Sequence, residues 1–299
     1  MRTTAIIIPL IFFFLPLALA REYTLSIKAP NHHILVRENS EVASYAPNAS
    51  LHLGLKITGD YFLFKFGTRL KGTEWGRRTG QKLTYQDFRL GIRIANSYTE
   101  LFYKMYRGFN SNEKSGEEHD TPRTSLSSTE YTLDQLWALT PSYNLKQLTG
   151  NGGQGVRFAT TWLLNVFVNR LKIREPSGII KYSKADKMTL DHVVEFDLRQ
   201  VGMGLGAALT VPIWPLFYMS ASFTAGPGYQ DNKIYYFSHF QRKKGVASHY
   251  NLKWMFGTYG LPVNIGTKVL FNSNIYDIGS NKNVASANYA AYLYMSFVL

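Results

Sequence analysis

Two serine–histidine pairs are the first places where this sequence could do chemistry. Ser238-His239 and Ser248-His249 carry the nucleophile and the base that a membrane-embedded lipid hydrolase needs. Successive side chains on a strand point to opposite faces, so neither pair can form a dyad by itself. We therefore predict that the protein is not an enzyme, and a membrane-embedded lipid-modifying enzyme remains a distant alternative.

The other polar clusters predict neither a metal nor a cofactor. No cysteine or carboxylate that could complete a metal site accompanies His32-His33 in the sequence, and we expect an exposed polar segment there. Glu117–Asp120 lacks the spaced order of a calcium loop and is expected to be solvated. Gly150–Gly155 lacks the Lys-Ser/Thr of a phosphate loop, which favours a flexible turn.

Charged side chains recur at every second position in four segments between residues 51 and 106. They share a face with small and polar residues, and the opposite face is nearly all apolar. These charges either pair and close a narrow interior or line a pore that prefers anions. The candidate lumen-lining residues are Lys56, Lys65, Arg69, Arg89, Arg93, Glu100 and Lys104.

The elements that must position these residues are strands, because a period of two predicts a sheet with one face in an apolar medium. Tight turns are predicted at Gly59-Asp60 and Asn96-Ser97. A soluble two-sheet sandwich would show the same period. The N-terminus, the aromatic content, the loop lengths and the C-terminus favour an all-β fold, a single antiparallel transmembrane β-barrel of about 12 strands, range 10–14.

Composition excludes two other classes of protein. The chain has 299 residues, of which 45% are hydrophobic, 15% aromatic and 18% charged, and a disordered chain has neither so many aromatics nor so few charges. The mean hydropathy of -0.16 excludes a polytopic helical membrane protein. There is no cysteine, so neither a disulfide nor a lipidation site is expected.

The first twenty residues predict export. Met1–Ala20 has the charged, apolar and small-residue order of a signal peptide, with cleavage after Ala20, although a membrane anchor is the alternative. We predict an N-terminal periplasmic arm or an extra strand over residues 21–48 and the barrel over residues 49–299. The predicted location is the bacterial outer membrane.

The net charge of +13 suits a polar lumen and loops that face membrane lipids or lipopolysaccharide, and we predict no nucleic-acid partner. The final strand alternates without a break from Tyr289 to Leu299. Outer-membrane barrels end in such a strand, which the barrel insertion machinery reads. Asn110–Glu130 is expected to be an external loop, and Tyr131–Gly153 fits either a short helix or a strand.

Three elements together are similar to a known family. These are Ser44–Asn48 (SYAPN), the Gly-bearing strand from Leu51, and the aromatic strand Leu101–Phe109, with a looser likeness at Gly226–Tyr229. They resemble an uncharacterised family of bacterial outer-membrane proteins, domain of unknown function 4421. The resemblance implies a membrane barrel and implies no activity.

The sequence thus predicts an outer-membrane β-barrel of unassigned activity. A structural or surface barrel with a narrow, charge-lined lumen is the first hypothesis. A small pore or transporter for small, anionic solutes is the alternative.

Overall fold

The computed structural model describes residues 21–39, 41–47, 50–70, 84–111, 121–149, 156–180, 190 and 192–299. The predicted signal peptide Met1–Ala20, the acidic cluster Glu117–Asp120 and the glycine-rich segment Gly150–Gly155 lie outside these residues. Within the described residues, no helix is long and apolar enough to cross a membrane.

The described residues form thirteen strands and one short helix. In chain order they are β1 (Glu22–Glu38), β2 (Glu41–Ala46), β3 (His52–Thr58), β4 (Phe62–Arg69), β5 (Thr84–Ile94), β6 (Ser97–Ser111), β7 (Thr121–Ala138), α1 (Lys146–Thr149), β8 (Ala159–Arg174), β9 (Val193–Trp214), β10 (Phe217–Tyr236), β11 (Phe240–Thr258), β12 (Val263–Gly279) and β13 (Lys282–Val298).

Twelve of these strands close into a ring. From β3 to β13 each strand pairs with the next along the chain, and β1 pairs with both β3 and β13. All of these pairings are antiparallel. The prediction of an all-β antiparallel barrel with about 12 strands is therefore confirmed.

The thirteenth strand, β2, narrows the ring at one end. β1 pairs with β3 along its first part and with β2 over Ile34–Glu38. β2 then pairs with the end of β6 through Tyr45 and Ala46, beyond the short strands β3, β4 and β5. Counted over the described residues, the wall has twelve strands at the end that holds Arg21 and Leu299 and ten at the other. We call these the terminal end and the distal end.

The N-terminal segment, predicted as a periplasmic arm or an extra strand, forms strands. β1 is a wall strand of 17 residues that closes the ring, so the barrel begins at Glu22 and not at residue 49. The strand is hard to see in the sequence because its inward face is polar. Thr24, Ser26 and Lys28 on that face are all buried.

Two other segments also differ from their predictions. The external loop expected over Asn110–Glu130 is shorter, because β6 extends to Ser111 and β7 begins at Thr121. The segment Tyr131–Gly153, left open between helix and strand, contains both: β7 continues to Ala138 and α1 follows. The turn between β5 and β6 lies at Ala95-Asn96, one residue before its predicted place, with Ala95 at a φ of 48°.

The strand alternation divides side chains between lipid and lumen. On β9 the outward residues Met203 and Leu205 are 63% and 66% exposed, whereas the inward Ala208 is buried. Trp162 and Trp214 are exposed towards the terminal end, where interfacial tryptophans lie in membrane barrels. A closed ring with an apolar outer belt is the form in which strands cross a bilayer, and the outer membrane houses such barrels. The predicted outer-membrane location is confirmed.

Arginine in place of Leu205 should destabilise the folded barrel by about 2–4 kcal/mol, since a charge near the bilayer midplane loses its hydration. Chemical unfolding of the barrel in lipid vesicles, followed by heat-modifiable migration on a gel, measures this loss. The control is Ser238→Arg in the exposed turn between β10 and β11, which should unfold like the native chain. Equal unfolding of both variants would contradict a lipid-facing position for Leu205.

Candidate functional site

The distal part of the barrel interior is an apolar core. The segment after β8 folds into the ring, so that Ile179 and Ile180 are buried among wall residues. The Tyr45 hydroxyl donates to the Ile179 carbonyl at 2.7 Å, and the Arg123 guanidinium donates to the same oxygen at 2.8 Å. The lumen is therefore filled at this end. We call this cluster the distal core; its members include Tyr45, Tyr85, Tyr106, Phe109, Leu126, Phe196 and Tyr276.

The terminal end of the interior is covered by the segment between β7 and β8. Tyr143, Leu145 and Leu148 from this segment are each 3% exposed, and they form what we call the terminal plug. The Tyr143 hydroxyl lies 3.2 Å from the Thr210 hydroxyl, and burial raises the pKa of the Tyr143 phenol. The plug packs against the wall residues Tyr98, Ala138, Leu163 and Ala208.

Between these two layers the interior is charged. All seven predicted lumen residues lie on the inward face of their strands. Lys56, Arg93, Glu100 and Lys104 are buried, and the other three are partly exposed. What the seven do in the lumen stays a prediction. The set is Lys56, Lys65, Arg69, Arg89, Arg93, Glu100 and Lys104.

The strand register brings three of the predicted cations into one row. Lys56 on β3 lies directly opposite Lys65 on β4, which lies directly opposite Arg89 on β5. Glu100 on β6 accepts from Arg89 at 3.4 Å. Arg69 and Arg93 lie apart from this row, one towards the distal end of β4 and the other beside the turn after β3, where Arg93 donates to the Gly59 carbonyl at 3.2 Å.

Several charged residues of the interior were missed by the sequence analysis, among them Lys28, Asp87, Lys253 and Lys268. Lys28 forms an ion pair with Asp87 and donates to the Tyr85 hydroxyl at 2.7 Å, and both charged groups are almost completely buried. Lys253 and Lys268 project inwards from β11 and β12. The alternation alone could have found these two, because they fall opposite the apolar outward residues of their strands.

A polar network joins three strands beside the distal core. The Ser128 hydroxyl lies 3.0 Å from His32 Nε2, and His32 Nδ1 lies 2.5 Å from the Asn288 amide oxygen. Asn288 also donates to Glu130 at 2.8 Å. His32 is 0% exposed, so the prediction of an exposed segment at His32-His33 is wrong for this residue. The polar residue His32 occurs here because it lies on the inward, polar face of a strand and not in a solvated loop.

This network has the order of a nucleophile, a base and an orienting amide, but it is closed to substrates. Ser128 is 2% exposed, and the Tyr106 ring stacks on His32 with centroids 5.1 Å apart. Neither lumen cavity described below is lined by Ser128 or His32. The network therefore serves as a buried cross-link between β1, β7 and β13.

The two serine–histidine pairs of the sequence differ from each other. His249 points inwards and is 0% exposed, with Nδ1 2.7 Å from the Asn274 amide oxygen, and Ser248 lies on the opposite face. Ser238 and His239 lie in a turn and not on a strand, so the rule of opposite faces does not apply to them. The Ser238 hydroxyl is 3.3 Å from His239 Nδ1 on the exposed surface.

Over the described part of the chain, no cluster of three or more metal-ligating residues occurs.

Two small cavities remain in the charged layer, each of about 60 Å³. They share Arg89, Glu100, Lys253, Leu270 and Tyr292 as lining residues. The cavity nearer the terminal end is also lined by Leu148 of the terminal plug. We call this one the terminal-side cavity. Both cavities thus lie among charged side chains of the described residues.

Comparison with known proteins supplies structures but no family. No protein family and no characterised protein matches the sequence, so the resemblance to domain of unknown function 4421 stays a prediction. The fold is similar to the outer membrane protease OmpT from Escherichia coli, at 9% identity and a TM-score of 0.41 over 93% of this chain and 96% of that one. It is similar to the translocator domain of autotransporter NalP from Neisseria meningitidis, at 9% identity and a TM-score of 0.49 over 99% and 96%. The toluene transporter TodX of Pseudomonas putida is similar at 9% identity and a TM-score of 0.29 over 93% and 89%.

These likenesses concern architecture alone, and the barrel itself rests on its closed ring. They do correct one prediction. The exclusion of enzymatic activity is wrong, because the barrels that this chain is similar to include a protease.

Asparagine in place of Asp87 should destabilise the barrel by about 3–5 kcal/mol, because it leaves the Lys28 ammonium buried without its counter-charge. The double variant Lys28→Met, Asp87→Leu removes both charges and should recover most of this loss. Unfolding in lipid vesicles gives both values. A matched control is Asp231→Asn, whose ion pair with Arg242 lies on the outer face and should matter little. If Asp87→Asn unfolded like the native protein, the buried pair would not be stabilising the interior.

Proposed function

We propose that the protein is a non-conducting outer-membrane barrel with a structural or surface role. One observation carries the proposal: apolar layers fill the interior on both sides of the charged layer. The distal core contains side chains at 0% exposure, and the terminal plug lies at 3%. Ions do not cross such layers readily, since entering them costs a charge its hydration. An open pore needs a continuous polar path, which these layers interrupt.

The experiment is conductance of the purified barrel in a planar bilayer. The native chain should show no single-channel steps. A barrel that lacks residues 141–148, which carry the terminal plug, keeps the distal core and should also stay closed. Regular steps from the native chain would contradict a closed lumen.

A second candidate is a small anion pore, and the surplus of cations in the charged layer favours it. Lys56, Lys65 and Arg89 would attract anions if the plug moved aside. In that case, deletion of residues 141–148 should produce currents whose reversal potential follows the anion gradient. If neither the native barrel nor the deletion variant conducts, the anion pore is excluded and the non-conducting barrel is supported.

The partner we propose is the anionic lipid of the outer leaflet, with insertion guided by the final strand β13. The short turns at 59–61, 95–96, 215–216 and 259–262 support a periplasmic terminal end, which also carries the longer connection 139–158. The longer connections at 70–83, 112–120 and 175–192 support an external distal end, which also carries the short turns 237–239 and 280–281. On β8 the outward apolar residues end at Val168, and the next outward residues on the distal side are basic. This basic band consists of Arg170, Lys172, Arg174, Arg199, Arg242 and Lys244.

The geometry of the basic band suits phosphate groups. Arg170 donates to Asp197 at 2.9 and 3.0 Å, and Arg199 donates to the same carboxylate at 2.9 Å. One buried acid thus holds two guanidinium groups side by side, with a surplus positive charge. Their side chains stay 41% and 46% exposed, level with the edge of the apolar belt. Lipopolysaccharide carries its phosphates at this depth.

The triple variant Arg170→Gln, Lys172→Gln, Arg174→Gln should retain much less lipopolysaccharide after purification, because each basic residue contributes about 1 kcal/mol to binding an anionic surface. Phosphate analysis of the purified barrel measures the bound lipid. The control triple Arg21→Gln, Lys146→Gln, Arg157→Gln removes the same charge from the terminal end. Equal lipid content in both variants would show that the basic band does not bind lipopolysaccharide.

A further inference from the structure

The row of like charges on β3, β4 and β5 is an unusual feature of the interior. Lys56, Lys65 and Arg89 face the lumen at directly opposed positions on adjacent strands. Like charges in such positions repel and destabilise the sheet. The register is set by the apolar outward face of the same strands, so the row cannot slip apart. Something in the lumen must therefore compensate for the repulsion.

The facing wall adds two more cations to the same space. Lys253 on β11 and Lys268 on β12 line the terminal-side cavity together with the row. Among the described residues that line this cavity, Glu100 is the one carboxylate, 3.4 Å from Arg89 and 3.9 Å from Lys253. A single acid thus stands among five cations.

Other acids lie outside this cavity: Asp87 forms an ion pair with Lys28, and Asp134 lines the neighbouring cavity. Glu22 lies 3.7 Å from the Lys56 ammonium. Across the described chain, no carboxylate lies within 4.0 Å of the ammonium groups of Lys65 or Lys268. The Lys65 ammonium instead sits 4.1 Å above the centre of the Tyr292 ring.

Arg89, which lines both cavities, also carries a donor that nothing in the described structure satisfies. Arg89 Nε is shielded from solvent and has no hydrogen-bond partner among the described residues. The hydroxyls of Thr24, Ser26 and Tyr98 line the terminal-side cavity. A volume of about 60 Å³ exceeds the roughly 10–15 Å³ that one water molecule needs. Cations, an unsatisfied guanidinium N–H and hydroxyls together form a site for a negative charge.

We propose that the terminal-side cavity binds a small inorganic anion, of the size range from a halide to a tetrahedral oxyanion. The anion would be held between Lys65, Arg89 and Lys268 and would offset the repulsion in the row. This site goes beyond the proposed function, because it exists whether or not the lumen conducts. Its occupant would stabilise the folded barrel in proportion to its free concentration.

The first test uses the native barrel and bromide as the probe. Crystals of the barrel are grown with sodium bromide as the halide salt, and bromide is located by its anomalous scattering. A peak within contact distance of Lys65, Arg89 and Lys268 is expected. A refined map with ordered side chains and no bromide peak in this cavity would overturn the proposal.

The second test measures thermal unfolding in detergent, with bromide compared with gluconate at equal ionic strength. Gluconate is too large for the cavity and reports ionic strength alone. Bromide should raise the unfolding midpoint of the native barrel by about 5 °C once its concentration is about 100-fold above the dissociation constant. Equal midpoints in the two salts would contradict the site.

Methionine in place of Lys268 removes one cation and keeps the length of the side chain. The variant should lose the bromide-dependent shift, and in gluconate it should be more stable than the native chain, since a repelled charge is gone. Lys233→Met, on the outward face of β10, is the matched control and should keep the shift. A bromide shift that Lys268→Met leaves unchanged would overturn the assignment. If Lys268→Met does not fold, Lys65→Met replaces it in the same comparison.

Discussion

The pairing of the first strand with the last is the interaction on which the rest of this structure depends. Inside a bilayer no water is present to satisfy a free sheet edge, so every strand needs a neighbour on both sides. The β1–β13 ladder provides this from the Glu22–Val298 pair to the Glu38–Lys282 pair. Because side chains alternate, the same register also decides which of them enter the lumen. A slip by one residue would turn Lys28 and His32 towards lipid.

Closure creates an interior too narrow to hold bulk water, and its contents are sorted by polarity. Hydrocarbon side chains occupy the distal core and the terminal plug, and charged side chains occupy the space between. Two acids in this middle layer are paired with cations: Asp87 with Lys28, and Glu100 with both Arg89 and Lys253. The ion pairs on the outer face, such as Arg242 with Asp231, differ because their partners remain partly exposed. Removal of a partner therefore has very different consequences on the two faces.

Much of this architecture follows from the sequence, because strand period and face polarity are local properties. The alternation from Leu51 to Tyr106 predicts four wall strands and the inward position of their charges. The same period fails for β1, whose outward face includes His33 and whose inward face includes apolar Ile34 and Val36 in the distal core. Which inward residues meet depends on closure of the ring and on register, and these are not local. The Ser128–His32–Asn288 network joins residues up to 256 positions apart, so no sequence spacing could reveal it.

The wall loses two strands between the terminal end and the distal end, so the barrel tapers. Since the diameter of a barrel grows roughly in proportion to its strand number, the distal end is narrower than the terminal end by about one sixth. At the distal end, wall side chains and the segment after β8 together fill the interior, whereas the terminal end is covered by the segment between β7 and β8. In the orientation proposed above, the distal core faces the cell exterior and the terminal plug faces the periplasm. Exchange of solutes with the interior would then take place from the periplasmic side.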